Sequence, residues 1–184
     1  MKNPWKKLNS KIVYKNPWIT VKEDKVIKPD NKKGIYGVVH LSGRTEVVAL
    51  TSKKEIYLVG QWRYAINKFS WSLPAGSVKK NEKFLKAAKN ELEEEAGIKA
   101  KNWKYLGISY QSVGVLNQKI KYYLATDLTK TEQKLEGSEK GMKVIKIPLE
   151  KAVRLIKQNK IFEDSTITGI FKAIEYLKNN KLKL

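Results

Sequence analysis

The segment from residue 76 to residue 98, GSVKKNEKFLKAAKNELEEEAGI, places a glycine turn, one isolated glutamate and a carboxylate cluster in a fixed order. Five residues separate Gly76 from Glu82, and seven more lead to Asn90 and the cluster behind it. The cluster consists of Glu91, Glu94 and Glu95. An order this long constrains the fold more than a lone glycine motif does, because it specifies a turn, a helix and the polar face of that helix together.

The residues from about Lys83 to Ala96 predict a helix, with apolar side chains among charges and Gly97 just past the end as a C-terminal stop. On a helix the clustered carboxylates stand at i, i+3 and i+4, so they share one face. Like charges in that arrangement repel and weaken the helix by roughly a few tenths of a kcal/mol per pair. A divalent cation reverses that sign, and Mg²⁺ prefers hard oxygen ligands. The alternative is a solvated acidic surface, which the flanking glycines and Glu82 disfavour.

The pattern along the rest of the chain predicts a mixed β-sheet with helices on its faces, which is an α/β sandwich. Strands are predicted at Lys11–Val21 (broken at Asn16-Pro17-Trp18), Val21–Ile27, Gly34–Leu41, Glu46–Thr51, Glu55–Arg63, Trp103–Gln111, Lys119–Ala125 and Lys143–Ile147. Helices are predicted at Lys83–Ala96, Leu149–Gln158 and Ser165–Asn179. The C-terminal KNNKLKL, residues 178–184, is predicted to be a solvated end.

Composition excludes several classes of protein. The chain has 184 residues, of which 41% are hydrophobic, and no apolar run approaches the length of a membrane-spanning helix. The first ten residues, MKNPWKKLNS, lack the apolar core of a signal peptide. The absence of cysteine excludes disulfides, thiolate metal sites and cysteine nucleophiles. We therefore predict a cytoplasmic protein with no membrane partner.

The net charge of +20 would ordinarily suggest a nucleic-acid partner, since 38 basic residues face 18 acidic ones. However, the only arginines are Arg44, Arg63 and Arg154, and the lysines are scattered along the whole chain. Lysines scattered in this way are more typical of a general bias in amino-acid composition than of a binding surface. We expect no nucleic-acid partner, although the charge would still attract ligands that carry phosphate.

The order of residues 76–98 resembles the box of the Nudix hydrolases, G-x5-E-x7-R-E-U-x-E-E-x-G-U, in which U is a bulky aliphatic residue. Every fixed position agrees except the arginine, which is Asn90 here. Three further segments are similar to the ADP-ribose pyrophosphatase branch of that superfamily, and the likeness runs from about Trp18 to Thr168. These segments are Gln61-Trp62-Arg63-Tyr64, Leu73-Pro74-Ala75-Gly76 and Ser112-Val113-Gly114.

The resemblance implies a Nudix α/β/α sandwich with a mixed sheet, preceded by a small N-terminal β-sheet domain. Residues 1–45 suit that N-terminal domain, which would serve dimerisation and substrate contacts, and residues 46–184 would form the Nudix hydrolase domain. Members of this branch often exchange the N-terminal domain within a homodimer. We therefore expect a homodimer.

Carried over by position, the resemblance implies a metal site that holds Mg²⁺, with Mn²⁺ as the alternative ion. Its ligands would be the backbone carbonyl of Ala75 and the carboxylates of Glu91, Glu94 and Glu95. Glu94 would bind a second or third ion or polarise water, so it is also assigned to catalysis. Glu82 and Asn90 would support the cluster.

Four residues are implied in substrate binding: Arg63, Trp18, Trp62 and Gly76. The planar fork of Arg63 suits phosphate oxygens, and a surface ion pair is the alternative role for this arginine. The two tryptophans would stack on the adenine ring, although tryptophan in a β-sheet more often belongs to the core.

The implied reaction is hydrolysis of the pyrophosphate in ADP-ribose or a related nucleoside diphosphate sugar, giving AMP or another nucleoside monophosphate and a sugar phosphate. Metal ions would screen the phosphate oxygens and lower the pKa of a bound water, while a carboxylate accepts its proton. In this branch that carboxylate comes from a loop after the box. Here the loop is residues 131–141, TEQKLEGSEKG, which offers Glu136 and Glu139. We favour Glu139, and a solvated loop glutamate is the alternative.

Several positions depart from the pattern of the branch. Asn90 brings no charge where the box arginine clamps the glutamates by ion pairs. Ser72 stands in place of a glutamate, Val113 in place of a proline, and Gln118 at a position that is often acidic. Since the metal ligands are retained, we expect an enzyme that is slower or has a different specificity.

Two other functions remain open at this point. A catalytically weakened Nudix module could bind and sense ADP-ribose or a similar nucleotide. An RNA-end pyrophosphohydrolase is suggested by charge alone, and the absence of a focused basic and aromatic stripe argues against it. Among enzymes, hydrolases of GDP-mannose, NADH and other sugar nucleotides also remain open.

Overall fold

The computed structural model describes residues 1–180, so the last four residues of the end predicted to be solvated lie outside the described residues. The chain divides into two compact units. The first contains Met1–Ser42 and Tyr110–Lys119, and the second contains Gly43–Ser109 and the chain from Ile120. The N-terminal unit therefore includes a segment that returns to it much later in the sequence.

The first unit is built on a three-stranded antiparallel sheet in the order β1-β2-β3. Its strands are β1 (Lys6–Lys15), β2 (Ile19–Ile27) and β3 (Lys33–Leu41). β1 is an edge strand, and its register against β2 shifts at two points, between Lys7 and Asn9 and between Ile12 and Tyr14. Such bulges increase the local twist of an edge strand.

The break predicted at Asn16-Pro17-Trp18 is confirmed, but the predicted start of the first strand at Lys11 is wrong. The observed strand begins at Lys6, and it ends at Lys15 because Asn16 forms a turn. The side-chain oxygen of Asn16 accepts hydrogen bonds from the backbone N–H groups of Trp18 and Ile19, at 2.9 and 2.8 Å. An asparagine that bonds the backbone two residues ahead replaces the ladder bonds of a strand. The chain therefore reverses there and continues as β2.

The second unit contains seven strands and three helices. Its strands are β4 (Arg44–Ala49), β5 (Glu55–Arg63), β6 (Lys68–Ser72), β7 (Ala75–Ser77), β8 (Ile98–Tyr110), β9 (Lys119–Lys130) and β10 (Lys143–Pro148). Its helices are α1 (Phe84–Ala96), α2 (Leu149–Lys157) and α3 (Asp164–Asn179). The predicted domain boundary after residue 45 falls inside β4. Within residues 1–180 no helix is long and apolar enough to cross a membrane.

Two sheets organise this unit. One has the order β7-β4-β9-β8 and is mixed, because β4 is parallel to β9 and antiparallel to β7. The other is antiparallel with the order β10-β5-β6. The predictions did not include β6 and β7. Both are short and flank Pro74, and β7 pairs with β4, which lies some thirty residues earlier and is invisible to a local sequence window.

Alternation along β4 divides the core into two clusters. Val47 and Ala49 pack with α1 residues, whereas Val48 and Leu50 pack with residues of α2 and α3. Successive side chains of a strand point to opposite faces, so α1 covers one face of the strand and α2 and α3 cover the other. The α/β sandwich predicted from the sequence is confirmed.

Candidate active site

The turn before α1 is shaped by contacts with the carboxylates of that helix. The backbone N–H of Ala75 donates a 2.7 Å hydrogen bond to Oε2 of Glu95. A side-chain carbon on Gly76 would clash with the carboxyl group of Glu91. A side chain at position 76 would therefore displace the Glu91 carboxylate from the place that it occupies against this turn.

The ladder between β7 and β4 orients the backbone of Ala75. Thr45 stands opposite Gly76, and the neighbouring bonds of this ladder run from Val47 N to Pro74 O and from Val78 N to Gly43 O. Pairs in an antiparallel ladder exchange bonds at alternate positions, so Ala75 points its N–H and C=O away from β4. Its N–H meets Glu95 on that side. Its carbonyl points to the same side, as a metal ligand at this position requires.

Helix α1 places the box carboxylates in different environments. Its buried face contains Ala87, Ala88, Leu92, Glu95 and Ala96. Glu95 is thus buried with the apolar stripe, Glu91 is partly buried, and Glu94 is exposed. Gly97 ends the helix in the left-handed conformation, φ 63°, and its N–H bonds the carbonyls of Leu92 and Glu93. The predicted glycine stop is confirmed.

Burial and mutual repulsion raise the pKa of both Glu91 and Glu95. Burial, the main cause, raises the pKa of Glu95 to about 8; the Ala75 N–H opposes the rise, and the charge of Glu91 adds to it. Burial also raises the pKa of Glu91 to about 7, with contributions from the charges of Glu94 and Glu139. Burial and the neighbouring negative charge both disfavour the ionised form of each carboxyl group, and a bound cation stabilises that form.

The donor chemistry of these residues fits a hard divalent cation. Carboxylate and carbonyl oxygens are the ligands that Mg²⁺ and Mn²⁺ prefer. Among the described residues 1–180, no group of three or more Asp, Glu, His or Cys side chains converges on one point. Repulsion between like charges accounts for that separation, since Glu95 turns to the Ala75 amide and Glu91 lies against Gly76. The assignment of Ala75, Glu91, Glu94 and Glu95 as ligands remains a prediction.

The supporting and loop glutamates also act on this cluster. Glu82 accepts a 3.2 Å hydrogen bond from the N–H of Lys79, and its charge raises the pKa of Glu91. Glu139 lies in a short 3-10 turn, Gly137–Glu139, and accepts a 3.4 Å bond from the N–H of Glu136. The charge of Glu139 reaches both Glu91 and Glu95. Asn90 is exposed on α1.

A buried ion pair on β4 was missed by the sequence analysis. Nε of Arg44 donates to Oε1 of Glu46 at 2.9 Å, and the Glu46 side chain is fully buried. Burial raises the pKa of Glu46, while the charge and hydrogen bond of Arg44 oppose the rise. The same arginine charge lowers the pKa of Glu91 and of Glu95. The available signal was a rare arginine two residues from a glutamate in an otherwise apolar strand.

The structure places Arg63 in a network of its own. Its Nε and Nη2 atoms donate to the two carboxylate oxygens of Glu163, at 2.7 and 3.1 Å. Nη2 also donates to the hydroxyl of Ser72 at 3.0 Å. The guanidinium is about one quarter exposed, so it is fixed by the bidentate pair while part of it stays accessible. Its role toward substrate remains a prediction.

Both tryptophans considered for stacking have exposed rings. Trp62 is 62% exposed near the end of β5, and its indole N–H donates to Asn67 at 3.1 Å. Trp18, just before β2 in the first unit, is 77% exposed. Neither ring belongs to a core, although stacking itself is untested.

Two family models match the chain. A nucleoside diphosphate sugar hydrolase N-terminal domain matches residues 5–39, and a NUDIX domain matches residues 42–167. The second match covers more than half of the chain, so the protein belongs to the NUDIX family and is a hydrolase. Nudix hydrolases generally use divalent metal ions. The resemblance stated from the sequence is confirmed.

Individual relatives agree over most of the chain. An ADP-ribose pyrophosphatase of Bacillus subtilis is 30% identical over 151 residues, which is 82% of this chain and 80% of the relative. A methanol dehydrogenase activator of Bacillus methanolicus is 26% identical over 174 residues, or 94% of this chain and 92% of the relative. The crystal structure of an ADP compounds hydrolase superimposes with a TM-score of 0.82 at 20% identity, covering 96% of this chain and 95% of that one. At 20% sequence identity, this structural similarity supports the assignment of the fold alone.

Proposed function

We propose that this Nudix hydrolase cleaves the pyrophosphate bond of ADP-ribose or a related nucleoside diphosphate sugar in a Mg²⁺-dependent reaction. Water adds to one phosphorus, the P–O–P bond breaks, and a nucleoside monophosphate and a sugar phosphate leave. The observation that carries the proposal is the pair of carboxylates that contact the turn before α1, the partly buried Glu91 against Gly76 and the buried Glu95 against Ala75. Similarity to the Bacillus subtilis ADP-ribose pyrophosphatase supports the substrate class.

Different residues of the proposed site would bind the metal ion, accept the proton and contact the substrate. Glu91, Glu95 and the carbonyl of Ala75 would hold the ion, with Glu94 as a ligand on the solvent side. Bound Mg²⁺ would supply charge stabilisation of the phosphate oxygens and a more acidic water, and Mn²⁺ is the alternative ion. Glu139 would accept the proton of the attacking water. Arg63 would contact a phosphate, and the exposed ring of Trp62 would stack on the base. Stacking by Trp18 remains a prediction from the sequence. The cytoplasmic location stays a prediction.

A substrate panel tests the proposed function. ADP-ribose, GDP-mannose, NADH and a 5′-triphosphate RNA are incubated with Mg²⁺, Mn²⁺ or EDTA, and chromatography quantifies the nucleoside monophosphate or, for the RNA, the pyrophosphate released. We expect release from at least one nucleoside diphosphate sugar, dependent on the metal. Metal-dependent cleavage of the RNA alone would contradict the proposal, and so would tight binding of every nucleotide without any product.

Replacing Glu139 by glutamine should lower kcat about a hundredfold, the lower range for a lost general base. Glu136→Gln is the matched control, because it lies in the same loop, whereas Glu139 is the loop carboxylate whose charge raises the pKa of both Glu91 and Glu95. We expect the control to keep kcat within about twofold, as a surface substitution should. Steady-state kinetics on the preferred substrate measures both. Equal losses in the two variants would show that the loop, and not the Glu139 carboxylate, matters.

We also propose that the protein is a homodimer formed through its N-terminal sheet. All ten residues of β1 are exposed, and three of its large side chains, Leu8, Ile12 and Tyr14, are 48%, 56% and 53% exposed. Apolar groups this open on an edge strand indicate a partner surface. Light scattering should give twice the chain mass, and Ile12→Lys should shift it to one chain mass while Lys15→Gln does not. A monomeric wild type would refute the proposal.

A further inference from the structure

The loop after β9, residues 131–141, begins by running along the C-terminal end of α1. The N–H of Thr131 donates a hydrogen bond to the carbonyl of Gly97 at 2.7 Å. The N–H of Lys134 donates to the carbonyl of Glu94 at 2.9 Å. Two main-chain bonds therefore join the first residues of the loop to the last turn of the helix and to the glycine that ends it.

The side chain of Gln133 adds a third bond to this attachment. Its amide N–H donates to the carbonyl of Glu95 at 2.6 Å. The last four carbonyls of a helix have no partner within the helix, and Glu95 lies in that last turn, so Gln133 supplies one of the missing donors. The carboxylate of the same residue accepts from the N–H of Ala75. Gln133 therefore holds the main chain of a proposed metal ligand whose side chain is held by the turn before α1.

The glycine at position 97 permits the close approach of the loop. A side-chain carbon there would lie 2.8 Å from the carbonyl oxygen of Thr131 and 3.2 Å from the backbone nitrogen of Gln133. The first distance is shorter than a side-chain carbon tolerates against main-chain atoms. Gly97 thus leaves the space in which the loop lies against the end of the helix.

The proposed proton acceptor, Glu139, lies between two attachments of the loop to the core. On one side of it, Leu135 is partly buried and packs against the cluster that contains Ala96. On the other side, Met142 is buried in the same cluster, and its N–H donates to the carbonyl of Glu139 at 2.9 Å. The place of Glu139 relative to α1 therefore depends on how the loop is attached to that helix.

We propose that Gln133 is a positioning residue, which fixes the loop against the last turn of α1 and so sets the place of Glu139 relative to the carboxylates of that helix. This role rests on the proposed function in taking Glu139 as the proton acceptor. Gln133 bonds a main-chain carbonyl and not substrate or metal, so its loss should impair turnover and leave substrate binding intact. A displacement of about 1 Å at a reacting group can lower a rate about a hundredfold.

Replacing Gln133 by methionine removes the donor and keeps a side chain of similar length. We expect kcat to fall about tenfold while KM stays within about twofold, because the two main-chain bonds still attach the loop. Glu132→Gln is the matched control, since Glu132 is exposed in the same segment, and it should keep kcat within about twofold. Gln133→Lys, which keeps an N–H donor, should recover at least about threefold of the tenfold loss.

Combination with Glu139→Gln distinguishes positioning of Glu139 from a general structural effect. Gln133→Met should lower the residual kcat of Glu139→Gln by less than about twofold, because the group that Gln133 positions is already lost. Equal fold losses in the two backgrounds would overturn the proposal. A wild-type kcat in Gln133→Met would overturn it as well.

Amide hydrogen exchange in EDTA tests the attachment without turnover and without metal. The N–H groups of Thr131 and Lys134 should exchange at least about fivefold faster in Gln133→Met than in the wild type, because the loop opens from the helix more often. The N–H of Leu92, inside α1, should keep its wild-type rate. Unchanged exchange at both loop residues would contradict the proposal.

Failure of the proposed function would give a different result. If the wild type turns over no nucleoside diphosphate sugar, the proposed reaction is wrong, and if Glu139→Gln keeps the wild-type kcat, the proposed proton acceptor is wrong. In either case faster exchange at Thr131 and Lys134 in Gln133→Met supports the attachment of the loop by Gln133, and unchanged exchange overturns it.

Discussion

Replacing Glu95 by glutamine is expected to lower turnover by at least about a thousandfold, since a lost metal ligand removes several kcal/mol of transition-state stabilisation. The fold should survive, because a glutamine oxygen can still accept the hydrogen bond from Ala75 N–H, 2.7 Å long in the wild type. At pH 8 the metal-free variant should even be more stable than wild type, since it buries an amide in place of a strained carboxylate. Calorimetry should detect weaker Mg²⁺ binding.

Glu93→Gln is the matched control on the same helix. Glu93 pairs with Lys99 and Lys134 at 3.3 and 2.9 Å, away from the turn at Ala75. Partly exposed ion pairs of this kind contribute little, so the control should keep its activity within about twofold. Wild-type activity of Glu95→Gln on the preferred substrate would show that Glu95 does not belong to the site.

The second large effect is on stability against pH in the absence of metal. Folding raises the pKa of Glu91 from 4.5 to about 7 and that of Glu95 from 4.5 to about 8. A carboxyl whose pKa is raised by folding stabilises the protein below its unfolded pKa and loses that effect as pH rises through the folded one. In EDTA the free energy of unfolding should therefore fall between about pH 5 and pH 9 by several kcal/mol for the pair, since one pKa unit corresponds to about 1.4 kcal/mol.

Urea unfolding across this pH range, in EDTA and in Mg²⁺, measures the effect. Saturating Mg²⁺ should remove the decline, because the ion binds the deprotonated carboxylates. The variant with Glu91→Gln and Glu95→Gln is the control, since it lacks both titrating groups and should show a flatter dependence in EDTA. A decline of equal size in that control would assign it to other residues.

Local sequence signals predicted those parts of the fold that short segments determine. β5 has the predicted bounds, Glu55–Arg63, and α1 ends before Gly97 as expected, because alternation and a glycine stop act within a few residues. The break at Asn16 was predicted correctly, but the start of β1 at Lys6 was missed because its first residues become a strand by pairing with the far end of β2. β7 was missed because three residues form a strand only when β4 is beside them.

In the candidate site, too, the sequence predicted the local features but not the contacts between distant residues. The spacing of the box predicted that Glu91, Glu94 and Glu95 stand on one face of a helix that follows a glycine turn. It could not predict that Ala75 donates to Glu95, that Arg44 pairs with Glu46, or that Glu163 binds Arg63 across a separation of 100 residues. These contacts depend on how strands and helices pack, and a linear pattern carries no information about partners at that range.

The hydrogen bond between Ala75 and Glu95 links helix α1 directly to the edge strand β7. Any event that draws electron density away from that carboxylate oxygen also weakens its hold on the peptide group. The strength of this hydrogen bond should therefore depend on whether the Glu95 carboxyl group carries a proton, binds an ion or does neither. Chemistry at one side chain is in this way transmitted to the main chain without the movement of any hinge or loop.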